Sequence, residues 1–341
     1  MATNHTQRAT PPCGHIAESA DRTVEQQFHL ELPTTRVDDG LFGPDSVSWK
    51  VWSHPAVIPG VMRSFVLDMV ASPHGAAALE EHSRYREDPL GRLNRTMYYF
   101  LTVVFADTDT VAKANLRLDR LHARIVGTEP MTGNRYSALD PYLQLGNHML
   151  SWHSVYYAYR TLAGNLTPAE TDRFFREAAI AFESLGVDHD AVRASAAEHG
   201  LPADALALDH IPAGHEEYRR LWAASRHLIC VNAQTRGALD AILHPRALDG
   251  SLTKASLFQA YPALARVGLA LIPRYIRATC GLPTSPAADA VALSAGRATT
   301  ALLHRTGTYS EVLQRLCPQG YQIQTTALRR RTPIATALGM R

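Results

Sequence analysis

A run of ten residues, Met97 to Ala106 (MYYFLTVVFA), includes no formal charge and stands directly behind two arginines, Arg92 and Arg95. On a helix of 3.6 residues per turn this run is apolar or aromatic on nearly every side, so the helix it forms must be surrounded by protein. Its first turns are then partly enclosed as well. An enclosed guanidinium is tolerated only where an anion or a strong hydrogen-bonding group meets it. The chain therefore folds around this segment, and the two arginines call for a partner.

The 341 residues suffice for one large domain or two ordinary ones with a sizeable core. A hydrophobic fraction of 46%, a charged fraction of 19% and a formal net charge of +2 lack the electrostatic footprint of a nucleic-acid binder. The basic cluster Arg329 to Arg331 is short and reads as a solvated tail. Four cysteines, Cys13, Cys230, Cys280 and Cys317, lie far apart with no CxxC or CxxCH, which excludes a zinc ribbon and covalent c-type haem and fits a reducing cytoplasm. The N-terminus lacks the order of a secretory signal. The most apolar C-terminal stretch, Ala263 to Ile276, is too short to span a bilayer and is interrupted by Arg266, Pro273 and Arg274, so no membrane anchor is expected.

Helix punctuation dominates the rest. Asp88-Pro89 and Asp140-Pro141 each place an N-cap before a proline at the first helical position, and Thr167 to Glu170 is a capping box whose helix Gly186 can close. Val111, Ala114, Leu118, Leu121 and Ile125 follow the 3-4-3-4 spacing of a core-facing stripe. Further helices are expected over Val61–Glu81, Glu217–Cys230, Leu257–Cys280, Ala287–His304 and Tyr309–Cys317, while alternating strand patterns are scarce. The expected class is all-α: a flexible arm over residues 1–40, a helical domain over 41–285, and a C-terminal helical extension with a basic tail over 286–341.

His122 lies four residues after Leu118 and three before Ile125, which aims its imidazole inward. Two readings are open: a core histidine bonded to one carbonyl, or an iron or haem ligand. His148 shares a face with Trp152 and Tyr156, as a pocket wall or as a core seam. His82 reads as a surface or capping residue. Met97, Tyr99, Val103, Trp152 and Tyr156 are candidate pocket-lining positions. Competing chemistries are poorly served: the sequence lacks a pair of Glu-x-x-His motifs, HExxH, GxSxG and a phosphate-binding glycine loop. Cys280 reads as a buried inert thiol.

Four blocks, DSVSWKVWSHPAVIPGVMRSFVLDMV, AALEEHSRYREDPLGRLNRT, RLHARIVG and YSALDPYLQLGNHML, with LALIPRYIRATCGLP beyond them, resemble in order and spacing the rubber-oxygenase catalytic domain shared by latex clearing proteins and MpaB-type oxygenases. The likeness covers roughly Asp45 to Pro283. It implies an all-helical, globin-like core holding haem b non-covalently. On that likeness His122 takes the place of the proximal iron ligand, Arg92, Arg95 and Thr96 lie on the distal side, and His148 belongs to the pocket wall. Two departures are visible. Latex clearing proteins carry a lysine where this chain has Arg95, a poor iron ligand, so the sixth position is expected to be open or water-filled. Their upstream His-Pro appears as Ser72-Pro73.

The likeness implies a haem b-dependent oxygenase in which dioxygen or peroxide is the oxidant and a small apolar molecule the substrate, with oxidative attack on an olefin as the family precedent; the cysteine spacing and the N-terminus point to the cytoplasm. The alternatives are a haem- or apolar-ligand-binding protein without turnover and, ranked last, a non-haem iron site on Asp119 and His122.

Overall fold

Short capping groups start most of the helices. In a computed structural model describing residues 36–207, 209–244 and 252–329, Asp88 accepts from the Gly91 amide, Asp140 from the Leu143 amide and Thr167 from the Glu170 amide, each ahead of a proline at the helix start. Glu170 returns a bond to the Thr167 amide, completing the capping box. The expected arm up to residue 35, Cys13, and the basic tail from Arg330 onward lie outside the described residues.

The described residues form fifteen α-helices and one short antiparallel ribbon, an all-α fold. In chain order they are α1 (Val47–Trp52), α2 (Val57–Ala71), α3 (Pro73–His82), α4 (Pro89–Phe105), α5 (Thr108–His122), the ribbon β1 (Val126–Thr128) and β2 (Arg135–Ser137), α6 (Pro141–Leu162), α7 (Pro168–Glu183), α8 (His189–Glu198), α9 (His215–Ala224), α10 (Ala233–Leu243), α11 (Leu252–Ala270), α12 (Arg274–Thr279), α13 (Pro286–Thr306), α14 (Tyr309–Leu316) and α15 (Pro318–Arg329). In the ribbon Gly127 pairs with Tyr136. No helix among the described residues is long and apolar enough to cross a membrane.

Two expected helices are split by proline. The stretch Val61–Glu81 breaks at Ser72, which is extended (φ −154°) and caps α3 through the His74 amide, because Pro73 has no N–H to continue α2. Pro273 likewise divides Leu257–Cys280 into α11 and α12. Pro262, by contrast, lies inside α11. The segment expected as Glu217–Cys230 begins at His215 and tightens into a 3₁₀ turn over Ser225–Leu228.

The long helix α6 is buried along most of its length and packs most extensively on α2. Around them Trp52 stacks on Phe100 at 5.4 Å, and Trp152 meets Trp52 and Phe174 at 5.5 and 5.3 Å. Arg63, buried on α2, is met by the Leu271 carbonyl (3.1 Å) and the Ser154 hydroxyl (2.6 Å). A Cβ at Gly60 would lie 2.9 Å from the Val155 Cα, so α2 and α6 cross there backbone to backbone. Gly60→Ala gains about 1 kcal/mol in helix propensity. Parting two packed helices costs about 1–3 kcal/mol, and this outweighs it. The expected result is a lower urea midpoint with an unchanged m-value.

Candidate functional site

Alternation along α4 divides it into two faces. Leu93, Met97, Phe100, Leu101 and Val104 are buried in the core, whereas Arg92, Arg95, Thr96 and Tyr99, spaced i, i+3, i+4, i+7, form a half-buried stripe. Asp107 turns the chain and caps α5 by accepting from the Thr110 amide at 3.0 Å. The two helices then run antiparallel in one register. Tyr99 Oη donates to Asn115 Oδ1 at 3.0 Å, and seven residues earlier on α4 and seven later on α5 the Arg92 charge acts on His122. Both pairings sum to 214, so the rungs lie about 10 Å apart along the hairpin.

His122 closes α5. Its Nδ1 is enclosed and has no hydrogen-bond partner among the described residues. Burial, helped by the Arg92 charge, lowers its pKa to about 4, so the imidazole is neutral near pH 7 and keeps a lone pair available. The stripe leading to it is not uniformly covered, contrary to expectation. Val111 and Ala114 are fully buried, but Leu118, Leu121, His122 and Ile125 are only half-covered by protein. The apolar face of α5 thus opens toward its C-terminal end, beside the α4 stripe.

Arg92 has an enclosed Nε without a hydrogen-bond partner, and burial lowers its pKa against the pull of Asp68. Asp68, on α2, is pushed up to about 6 by burial, with the Arg92 charge opposing the shift. Arg95 Nη1 lies 3.6 Å from Asp88 Oδ2. Asp88 is therefore the ion-pair partner of Arg95, whereas Asp68 acts on Arg92 only through its charge. Sequence reading did not single out Asp68. Its signal was present: within VIPGVMRSFVLDMVA it and Arg63 are the only charged residues.

His148 is seated elsewhere. It is 7% exposed, its Nε2 meets the Ala178 carbonyl at 2.8 Å, and its ring packs among Phe182, Trp152 and Phe100. Because a carbonyl only accepts, Nε2 carries the proton, and burial lowers the ring's pKa to about 4. Its face with Trp152 and Tyr156 is a core seam in this fold. Met97, Val103, Trp152 and Tyr156, expected to line a pocket, are all buried in the core, and only Tyr99 of that set lies on the stripe. Their size and packing against neighbouring helices, invisible in the local pattern, account for the difference.

The residues fit a haem better than a bare ion. Among the described residues no group of three or more His, Cys, Asp or Glu is placed to hold a metal ion, and Asp119 is exposed, so the Asp119–His122 pair has no third ligand there. A porphyrin supplies four nitrogens itself and asks the protein for one neutral imidazole, apolar cover and cations for its propionates. His122, the half-covered Leu118, Leu121 and Ile125, and Arg92 match those requirements. Cys280, buried with its thiol pKa raised by burial, is no thiolate ligand.

The family model described as the catalytic domain of ER-bound oxygenase mpaB/B′ and rubber oxygenase matches residues 49–305. The chain belongs to this family. The MpaB/rubber oxygenase domain thus runs from α1 into the last turn of α13 and includes Asp68 and the whole α4–α5 hairpin. Comparison with curated proteins and with solved structures gives no significant match. As an oxygenase-family member the protein is expected to oxidise a small molecule with dioxygen.

Proposed function

We propose that this chain is a haem b-dependent oxygenase of a small apolar molecule, with His122 as the iron ligand and Arg92, Arg95 and Thr96 facing it across the pocket. The observation that carries this reading is the neutral, enclosed imidazole of His122, whose Nδ1 has no partner among the described residues and which lies in register with Arg92. Haem held there supplies the binding and reduction of dioxygen or peroxide that oxidation of an olefin or another apolar carbon centre needs.

The protein's own groups have separable tasks. Arg92 keeps a fixed positive charge and a free N–H in a half-buried site, where charge placement is effective because water is partly excluded. Thr96 adds a hydroxyl one turn on. Arg95, tethered to Asp88, lies between Arg92 and Thr96 on the stripe and anchors an anionic or carbonyl group. Asp68, with its carboxyl near 6, can take up or release a proton close to neutral pH beside Arg92. Tyr99, held by Asn115, closes the far end of the stripe.

Purified protein is expected to show a Soret band with one haem per chain and to consume oxygen or peroxide when an olefin is supplied. Arg95→Ala should keep the haem and lose turnover by about a hundredfold, the cost of removing one placed charge or donor. Haem without oxidant consumption for any olefin would instead support a carrier or sensor. A colourless preparation after haem supplementation would remove the haem assignment.

A further inference from the structure

We propose that the cavity between the ribbon, the first turn of α3, the start of α6 and the end of α8 is a second binding site, taking a small apolar monocarboxylate. The cavity is about 330 Å³, within the range for a one-ring organic ligand. It shares no lining residue with the α4–α5 stripe.

Its polar groups point to an anion. Asp140 is the carboxylate in the lining, and it is already engaged: it accepts from the Leu143 amide (2.9 Å), the Ser195 hydroxyl (2.7 Å) and His199 Nε2 (3.0 Å). It has little left to offer a cationic ligand. Arg135, on β2, is an exposed guanidinium in the lining with the planar fork that suits a carboxylate. His74, also in the lining, has both ring nitrogens enclosed and without a partner among the described residues, a condition that buried polar groups normally escape. Its ring meets those of His199 and Tyr136 edge-on or tilted, at 5.6 and 6.5 Å, so these contacts hold it in place without satisfying a nitrogen. Burial and His199 lower its pKa, which leaves it neutral with one N–H to donate.

The remaining wall supplies the apolar half of the recognition. Val126, Leu139 and Leu143 line the space, and Tyr136 is fixed by donating to Glu81 Oε2 at 2.5 Å. A ligand carboxylate on Arg135, accepting from His74, with its hydrocarbon body on these three side chains, uses the guanidinium and the imidazole that Asp140 leaves unengaged.

The test is calorimetric titration of the full chain with benzoate and with its uncharged isostere benzamide. Benzoate is expected to bind with Kd on the order of 0.1 mM. Benzamide should bind about tenfold more weakly or worse, since it lacks the charge that the guanidinium reads. Arg135→Gln, an exposed change that leaves the fold intact, should cost benzoate that same factor and bring the two ligands level. His74→Phe, which fills the space and removes the donor, should abolish binding. Arg92→Ala should leave benzoate binding in place. The proposal is overturned by any of three results: no binding up to about 10 mM, the signature of a cavity filled by water alone; benzoate affinity unchanged in Arg135→Gln; or loss of binding in Arg92→Ala, which would put the ligand on the α4–α5 stripe.

Discussion

His122→Ala is expected to yield a folded protein almost devoid of haem. Removing a supporting group from a metal site costs roughly 10–100-fold in affinity, and removing the proposed iron ligand should exceed that. The side chain is half-covered and makes no hydrogen bond through Nδ1, so its loss disturbs little of the surrounding packing. Far-UV circular dichroism and the urea midpoint should therefore stay near wild type while the Soret absorbance collapses. Imidazole added from solution should restore part of the band by occupying the vacated space. A His122→Ala protein that keeps a full complement of haem refutes the assignment of His122 as the iron ligand. Removing His148 should act oppositely: its Nε2 bond to Ala178 and its aromatic neighbours make it a packing residue, so His148→Ala should lower stability while haem per folded chain persists.

Asp289→Asn is expected to be the most damaging single change to stability. Arg277 is 1% exposed, and its guanidinium is bonded by both Nη atoms to Asp289, at 2.9 and 2.5 Å, with further bonds to the carbonyls of Pro283 and Ile272. Arg266 and Arg274 approach the same carboxylate. Neutralising it leaves a buried cation without its counter-charge, which costs about 3–5 kcal/mol. Replacing both partners, as in Arg277→Met with Asp289→Leu, should recover much of that loss, because no unpaired charge then remains. The pH dependence has a definite sign. The hydrogen bonds from Arg277 hold the Asp289 carboxyl below its usual 3.8, so its contribution is fully present above the unfolded value and is lost as pH falls through the folded one. Thermal melts at neutral pH should show the whole deficit of the single variant. Acidification below pH 4 should shrink the gap between wild type and Asp289→Asn.

Some of the candidate site was legible because it is local. Arg92, Arg95 and Thr96 share a face by helical arithmetic alone, and His122 points inward by the same arithmetic on the next helix. The breaks at Ser72 and Pro273 were also written in the chain, since a proline removes the N–H that a helix interior needs. Helix α15 lies within the expected C-terminal helical extension, but its bounds leave little trace in the chain. Its buried face is Gly320, Ile323, Gln324 and Ala327, with a single large apolar side chain to mark the period. Gly320 sits against Leu101 of α4, so a small residue makes the contact and leaves no hydrophobic period to mark it.

By itself the sequence settled the all-helical class, the main helix starts and the face on which each polar side chain stands, because caps, prolines and a 3.6-residue period act within one or two turns. Only the tertiary structure decided which histidine is left with an unmet nitrogen. His148 finds its acceptor thirty residues away at Ala178, whereas Asp68 acts on Arg92 by its charge from another helix and no described residue reaches His122 Nδ1. Hydrogen-bond satisfaction and burial depend on which distant segments come together, and that information has no periodic trace in the chain.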